Sequence, residues 1–245
     1  ADLQDQHDDV KSNEAYRKYQ EEADVKVNEY LNLQRGDAIA TVDYDEETNK
    51  PITRYDQLVN DLTEISNKYS ETLDNKSQKR LFNDKYSASK RISINSASKH
   101  SLKQTRLKLT EEAESNVNIA KKSAINSFES FQEEGGDYQI NYYRGLLEIK
   151  RHAELNGRNT DINKGPLNST YLEAVQTYNE EVMQGVVDEL VKLPGGHQLA
   201  MQYVDMHKPK EIKDVVTELE KRIAEKHEDY NGEKCVNGVL TANGN

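Results

Sequence analysis

The sequence predicts an all-α protein: an elongated helical bundle with a long central helix, antiparallel and coiled-coil-like, and a smaller C-terminal helical bundle. Three observations predict it. From Ile52 to Glu134 there is neither Gly nor Pro, the two residues that most strongly punctuate local structure, so helix continues there with little interruption. Apolar residues recur three and four apart through most of the chain, the spacing of one helix face. The hydrophobic fraction is 34%, with no Trp and three Phe against fourteen Tyr. Such a composition suits narrow Leu/Ile/Val/Ala seams with Tyr as the bulky filler better than a thick core. No convincing period-two alternation occurs, so strands are expected to be scarce.

Three regions are expected: an elongated helical region over 1–134, a C-terminal helical bundle over 135–230 and a flexible tail over 231–245. The first boundary is set by Gly135-Gly136 and the tail by its Gly and Asn content.

The first helix runs from Asp2 to Gln34, with Val10, Ala15, Tyr19, Ala23, Val27, Tyr30 and Leu31 on its apolar side. Arg35-Gly36-Asp37 either ends or kinks it. The acidic stretch Asp43–Pro51 is a loop, and Thr53 starts the clearest helix of the protein. There Tyr55, Leu58, Leu62, Ile65, Tyr69 and Leu73 follow at intervals of 3, 4, 3, 4 and 4, a bundle seam. After a turn at Asp74-Asn75-Lys76, capped by Asn75 or Ser77, a long element spans Ser77–Phe131, about 80 Å if fully helical. Its apolar positions are Leu81, Phe82, Tyr86, Ile92, Ala97, Leu102, Leu109, Ala113, Val117, Ala120, Ala124 and Phe128. The Ser-rich middle, SASKRISINSASKHS, permits a tight crossing or a break near Asn95, because Ser competes for backbone hydrogen bonds.

Beyond the Gly pair, Tyr138–Asn156 is a helix seamed by Tyr143, Leu146, Leu147 and Ala153 and stopped at Gly157. The polar loop RNTDINKGP is a lid or a linker. Thr170 and Glu173 form a capping box for a helix to Leu193, striped by Tyr171, Val175, Tyr178, Val182, Val186, Leu190 and Leu193. A short helix, His197–Met206, precedes one opened by Pro209 and seamed by Ile212, Val215, Leu219 and Ile223.

The formal charge is −11, which disfavours general nucleic-acid binding. Charge is nevertheless segregated. Residues 75–110 hold ten Lys/Arg against one acid, and residues 1–49 hold fourteen Asp/Glu against five Lys/Arg. Acidic and basic helices can neutralise each other within the molecule. The alternative is a basic face at Lys99, Lys103 and Arg106, aligned at i, i+4, i+7, that contacts phosphate, DNA or an acidic partner.

Chemical motifs are otherwise weak. The six His are scattered and Cys235 is alone, so neither a metal site nor an internal disulfide is expected. Asp43, Asp45 and Glu47 imitate the start of a calcium loop without its Gly and final Glu. Phosphate loops and a nucleophile elbow are absent, and Glu111, Glu112 and Glu114 are explained by a solvated face. Arg35-Gly36-Asp37 fits a helix-ending turn better than an adhesion signal. No catalytic residue, cofactor or small-molecule substrate is expected. No apolar run approaches the about 18 residues that a spanning helix needs, and no signal-like segment stands out.

Three stretches taken together, VNEYLNLQRGDAIATVDYD, the run from YDQLVNDLTEISNKYSETLDNKSQKRLFNDKYS to NIAKKS, and LLEIKRHAELNG with LAMQYVDMHKPKEIKDVVTELEKRI, resemble helical segments of internal virion (DNA ejection) proteins of tailed, chiefly short-tailed, bacteriophages. The matching positions are Gly36-Asp37-Ala38 at the turn, Arg80 and Phe82 near the start of the long helix, and His100 and Gln104 further along. The resemblance covers most of residues 25–225. It implies a structural protein packed in the capsid near the portal, released with the genome into the host periplasm and envelope, where it helps form a conduit for DNA. Its implied partners are further copies of itself, portal, tail or other virion proteins, and genomic DNA. Some relatives carry a lytic transglycosylase domain elsewhere; no motif of it occurs here, so that activity does not carry over. A bacterial helical adaptor or surface protein, and a part of a peptidoglycan-degrading virion protein, are the alternative readings.

Overall fold

The computed structural model describes residues 3–207, 212–229, 234–236 and 239–241, with side chains to residue 224. The chain is all-α, and its contacts divide it into two units, 1–108 and 109–245. The sequence puts the boundary at Gly135-Gly136. The contacts put it inside a helix, because residues 109–126 pack with the elements that follow.

Unit 1 contains α1 (Leu3–Asn32), a single turn α2 (Arg35–Ala38), strands β1 (Thr41–Tyr44) and β2 (Pro51–Thr53), α3 (Arg54–Glu71) and the first part of α4 (Lys76–Asn126). The core is one seam: Ala15, Tyr19, Ala23 and Tyr30 of α1, Leu58, Leu62 and Ile65 of α3, then Leu73, Phe82 and Ala97. Tyr55 and Tyr69 of the expected seam are partly buried against it. Tyr19 supplies the bulk, meeting Phe82 at 6.2 Å and Tyr86 at 5.2 Å, edge-on to both. Edge-to-face contact of this kind adds to simple burial.

Polar bonds at both ends fix how α1 lies on α4. At one end the buried Asp8 carboxylate accepts from Asn75 Nδ2 (3.0 Å), Gln78 Nε2 (2.9 Å) and Gln4 Nε2 (3.0 Å). Asn75 in turn caps α4 by accepting from Gln78 N at 2.9 Å, which satisfies an otherwise orphan helix donor. At the other end, His100 Nε2 donates to Leu33 O at 2.8 Å and Gln104 Oε1 accepts from Arg35 N at 2.6 Å. So α1 stops at Asn32, before Gly36, and Arg35 takes a positive φ of 50° to begin the turn. α1 and α4 thus run in the same direction. α3 runs back between the two ends, with Glu22 of α1 accepting from Lys68 Nζ (2.6 Å) and Tyr69 Oη (2.9 Å).

Between α2 and α3 the chain forms a hairpin, β1 pairing antiparallel with β2 through Thr41↔Thr53 and Tyr44↔Pro51. The sequence expected a plain loop here. Asp45 closes the turn by accepting from Thr48 N (2.7 Å) and Thr48 Oγ1 (2.6 Å), an Asx turn that draws the flanking residues into pairing. Thr53 and Asp56 complete a capping box that starts α3.

α4 runs through Asn95 without a break. Burial of Ala97 and the bonds of His100 and Gln104 hold the Ser-rich stretch helical despite its propensity, as tertiary packing commonly does. The expected apolar positions Ile92 and Leu102 are instead exposed, at 69% each. The helix also ends at Asn126 rather than Phe131. Ser127 Oγ bonds back to Ser123 O at 2.6 Å, and such competition converts the following residues to a 3₁₀ turn at Phe128–Ser130.

Unit 2 contains the end of α4, α5 (Asp137–Leu155), α6 (Ser169–Leu190), α7 (Gly196–Met206), α8 (Ile212–Asp229) and a small hairpin of β3 (Lys234–Val236) and β4 (Val239–Thr241). Tyr171, Val175, Tyr178 and Val182 of α6 are all buried, with Val186 and Leu190, whereas the helix stops at Leu190 and Leu193 of the expected stripe lies beyond it, exposed. α6 is capped by Asn168, whose Oδ1 accepts from Thr170 N (3.1 Å) and Tyr171 N (3.3 Å), not by the Thr170–Glu173 box. Gly145 of α5 makes room for Tyr178: a Cβ there would lie 2.1 Å from the Tyr178 hydroxyl. That hydroxyl donates to Tyr142 O at 3.1 Å. Pro209 and most of the tail from residue 231 lie outside the described residues.

Two outcomes are expected from these contacts. The hydrogen bonds from Asn75 and then Gln78 hold the Asp8 pKa below its ordinary 3.8. Its stabilising contribution is therefore complete above about pH 5 and is lost as the pH falls through the folded-state value. Thermal melts of the Asp8→Asn protein should lose this acid-side slope, and an unchanged slope would refute the role. Gly145→Ala should destabilise by about 1–3 kcal/mol through overpacking against Tyr178, measured by urea unfolding.

Candidate functional site

Two surfaces qualify, one in each unit. In unit 1 it is the outer face of α4. Ile92, Asn95, Lys99, Leu102 and Arg106 follow at intervals of 3, 4, 3 and 4, and all are exposed, as is Lys103. This row lies opposite Ala97, His100 and Gln104, which face the seam and the end of α1. Helical spacing alone produces the split, since residues three and four apart share a face. The structure thus brings Lys99, Lys103 and Arg106 together on one face and intersperses them with two large apolar side chains. Sequence reasoning assigned Ile92 and Leu102 to the core and so missed their place in this row. Their 3–4 spacing with Lys99 and Arg106 was the available signal.

In unit 2 the candidate is an aromatic cluster beside an open cleft of about 310 Å³, lined in part by Phe131, Tyr142, Tyr143, Asn179, His207 and Arg222. Tyr138 stacks on Tyr142 at 6.1 Å, and its hydroxyl meets that of Tyr203 at 2.7 Å. His207 stacks on Tyr203 at 4.3 Å, and Phe131 meets the same ring edge-on at 5.3 Å. The Arg222 guanidinium sits 4.2 Å over the Tyr143 ring, a cation–π contact. Its Nε also donates to Glu218 Oε1 at 3.1 Å. Tyr142 donates to Asn179 Oδ1 at 2.8 Å. The sequence seamed α5 on Tyr143, Leu146, Leu147 and Ala153. The buried face is instead Tyr138, Tyr142, Gly145, Leu146, Ile149 and Ala153, with Tyr143 and Leu147 partly buried beside it. Gly145 three residues after Tyr142 was the clue, because only a residue without a side chain admits Tyr178.

Burial pushes the Tyr138, Tyr142, Tyr178 and Tyr203 phenols well above their ordinary 10. At neutral pH they are uncharged hydrogen-bonding fillers, not phenolate nucleophiles or bases. Each bonded hydroxyl is committed to a neighbour in the fold. Among the described residues no three His, Cys, Asp or Glu side chains gather as a metal-binding group, and no helix is long and apolar enough to cross a membrane. His152 and Glu114 form a pair at 3.0 Å, which lacks a third ligand among those residues.

No family model, curated protein or solved structure matches this chain.

Removing one hydroxyl of the Tyr138–Tyr203 pair should cost more than removing both. Tyr138→Phe leaves the buried Tyr203 hydroxyl without that partner, at a cost of about 1–3 kcal/mol. The Tyr138→Phe/Tyr203→Phe protein should recover part of that loss. Additive costs in a double-mutant cycle would show that the pair is not coupled.

Proposed function

We propose that this chain is a non-enzymatic structural protein of the internal, genome-associated core of a tailed bacteriophage virion. In this reading it assembles with further copies and with portal or tail proteins. It then leaves with the genome and helps line a path for DNA across the host envelope. The observation that carries the assembly part is the outer face of α4, where Ile92 and Leu102 stand 69% exposed in one row with Lys99, Lys103 and Arg106. Large apolar side chains interleaved with cations on an exposed helix face suit a partner surface. The resemblance at Gly36-Asp37-Ala38, Arg80, Phe82, His100 and Gln104 supplies the virion context.

A second feature suits the same role. Small residues take part of the packed side of α4, with Ala97 buried in unit 1 and Ala113, Ala120 and Ala124 buried in unit 2. Alanine buries little area, and burial stabilises by only about 25 cal/mol per Å². Helices joined in this way can separate and re-form during passage through a narrow channel at a modest cost. In this reading the basic row touches genome phosphates or an acidic neighbour on the way.

Quantitative mass spectrometry of purified phage particles, before and after triggered genome release, tests this reading. The chain should be found in filled capsids and be depleted from emptied ones. Its absence from particles, with recovery from bacterial cells alone, would favour the adaptor or surface-protein reading. Peptidoglycan clearing by the purified chain in a zymogram would overturn the non-enzymatic part.

A further inference from the structure

We infer that the β1–β2 hairpin of one copy docks on the outer face of α4 of a second copy, with Tyr44 seated on Leu102 inside a ring of opposite charges. The contact rests on the assembly reading above for its purpose and on the surface of unit 1 for its geometry.

The two surfaces are complementary in character and in size. On the hairpin, Tyr44 is 56% exposed. Around it Asp43, Asp45, Glu46 and Glu47 are exposed too. On α4, Leu102 is 69% exposed and is flanked within one helical turn by the exposed Lys99, Lys103 and Arg106. An apolar centre inside a charged rim is the usual anatomy of a small protein interface. From Lys99 to Arg106 the helix rises about 10 Å, comparable to the length of extended chain between Asp43 and Asp45 with the turn beyond it.

The hairpin is also pre-shaped. Asp45 Oδ1 holds Thr48 N and Oγ1, Asp43 Oδ1 accepts from Tyr44 N at 2.8 Å, and Asp45 N donates to Lys50 O at 2.9 Å. A rigid tip loses little conformational entropy on docking. Asp45 is thereby engaged in the turn and Asp43 through one oxygen, which leaves Glu46, Glu47 and the other Asp43 oxygen for the partner's cations.

Hairpin and helix face are different surfaces, so the contact is head-to-tail. Each copy offers one of each, and such contacts repeat into a ring or a chain. The surface is smaller than a standard interface of about 800 Å² per partner, so each contact is weak and the assembly depends on repetition.

The test is sedimentation of the full chain across about 10 μM to 1 mM, the range in which so small a contact shows itself. Wild type should associate in low salt and dissociate by at least tenfold in about 0.5 M salt, as exposed charges are screened. Lys99→Glu/Lys103→Glu and, separately, Asp43→Lys/Glu46→Lys should each be monomeric with unchanged helical circular dichroism. The chain carrying all four substitutions restores the attraction with signs exchanged and should associate again. Tyr44→Ser and Leu102→Ser should each weaken association at least tenfold.

A wild-type chain that stays monomeric throughout, or a fourfold variant that fails to recover, would overturn the contact. So would a lysine variant that loses DNA binding while associating normally, since phosphate would then be the partner of the row. Particle composition is read separately: a chain present in virions yet monomeric defeats only the contact, and an associating chain missing from virions defeats only the virion role.

Discussion

Tyrosine is the large side chain on which both cores are built, and each buried tyrosine brings a hydroxyl that must be placed. With no Trp and three Phe in the chain, little else can fill the space between helices. A buried hydroxyl without a partner costs about as much as the ring's burial contributes. Unit 2 meets the constraint by pairing: Tyr138 with Tyr203, Tyr142 with Asn179, and Tyr178 with a backbone carbonyl that Gly145 leaves accessible. Neither unit meets it completely. The hydroxyls of Tyr19 in unit 1 and Tyr171 in unit 2 are buried without a hydrogen-bond partner among the described residues, and the Tyr19 ring is held by Phe82 and Tyr86.

Register is a second constraint, and apolar contact, being non-directional, specifies it weakly. Polar ties do specify it. Asp8 gathers Asn75 and Gln78 at one end of unit 1, and His100 and Gln104 take hold of Leu33 and Arg35 at the other. Each tie is directional, and each would leave buried polar groups unpaired if the helices slid.

The α3 seam was legible because one helix face repeats in sequence without interruption. The same holds for α6, where Tyr171, Val175, Tyr178 and Val182 recur at intervals of 4, 3 and 4. Along α4 the spacing rule misled. Apolar residues occur on both sides of that helix, so counting them could not say which side is packed. Ala97, Gln104 and His100 proved to face inward, with Ile92 and Leu102 outward. The hairpin was illegible for a related reason: its strands have three and four residues, too few for alternation to register, and Asp45 acts through a turn geometry that composition does not encode.

What the sequence determined by itself was helix and its approximate extent, because both follow from local terms: the lack of Gly and Pro, and a period near 3.6. Tertiary structure decided which face of α4 is buried, where α1 stops, where the two units divide and how the cations group with exposed apolar side chains. Each of these depends on partners far along the chain, such as Gln104 for Arg35 and Glu181 for Lys121. Long-range pairing leaves no periodic trace in a single sequence, whereas the preference of a backbone for helix is present at every residue.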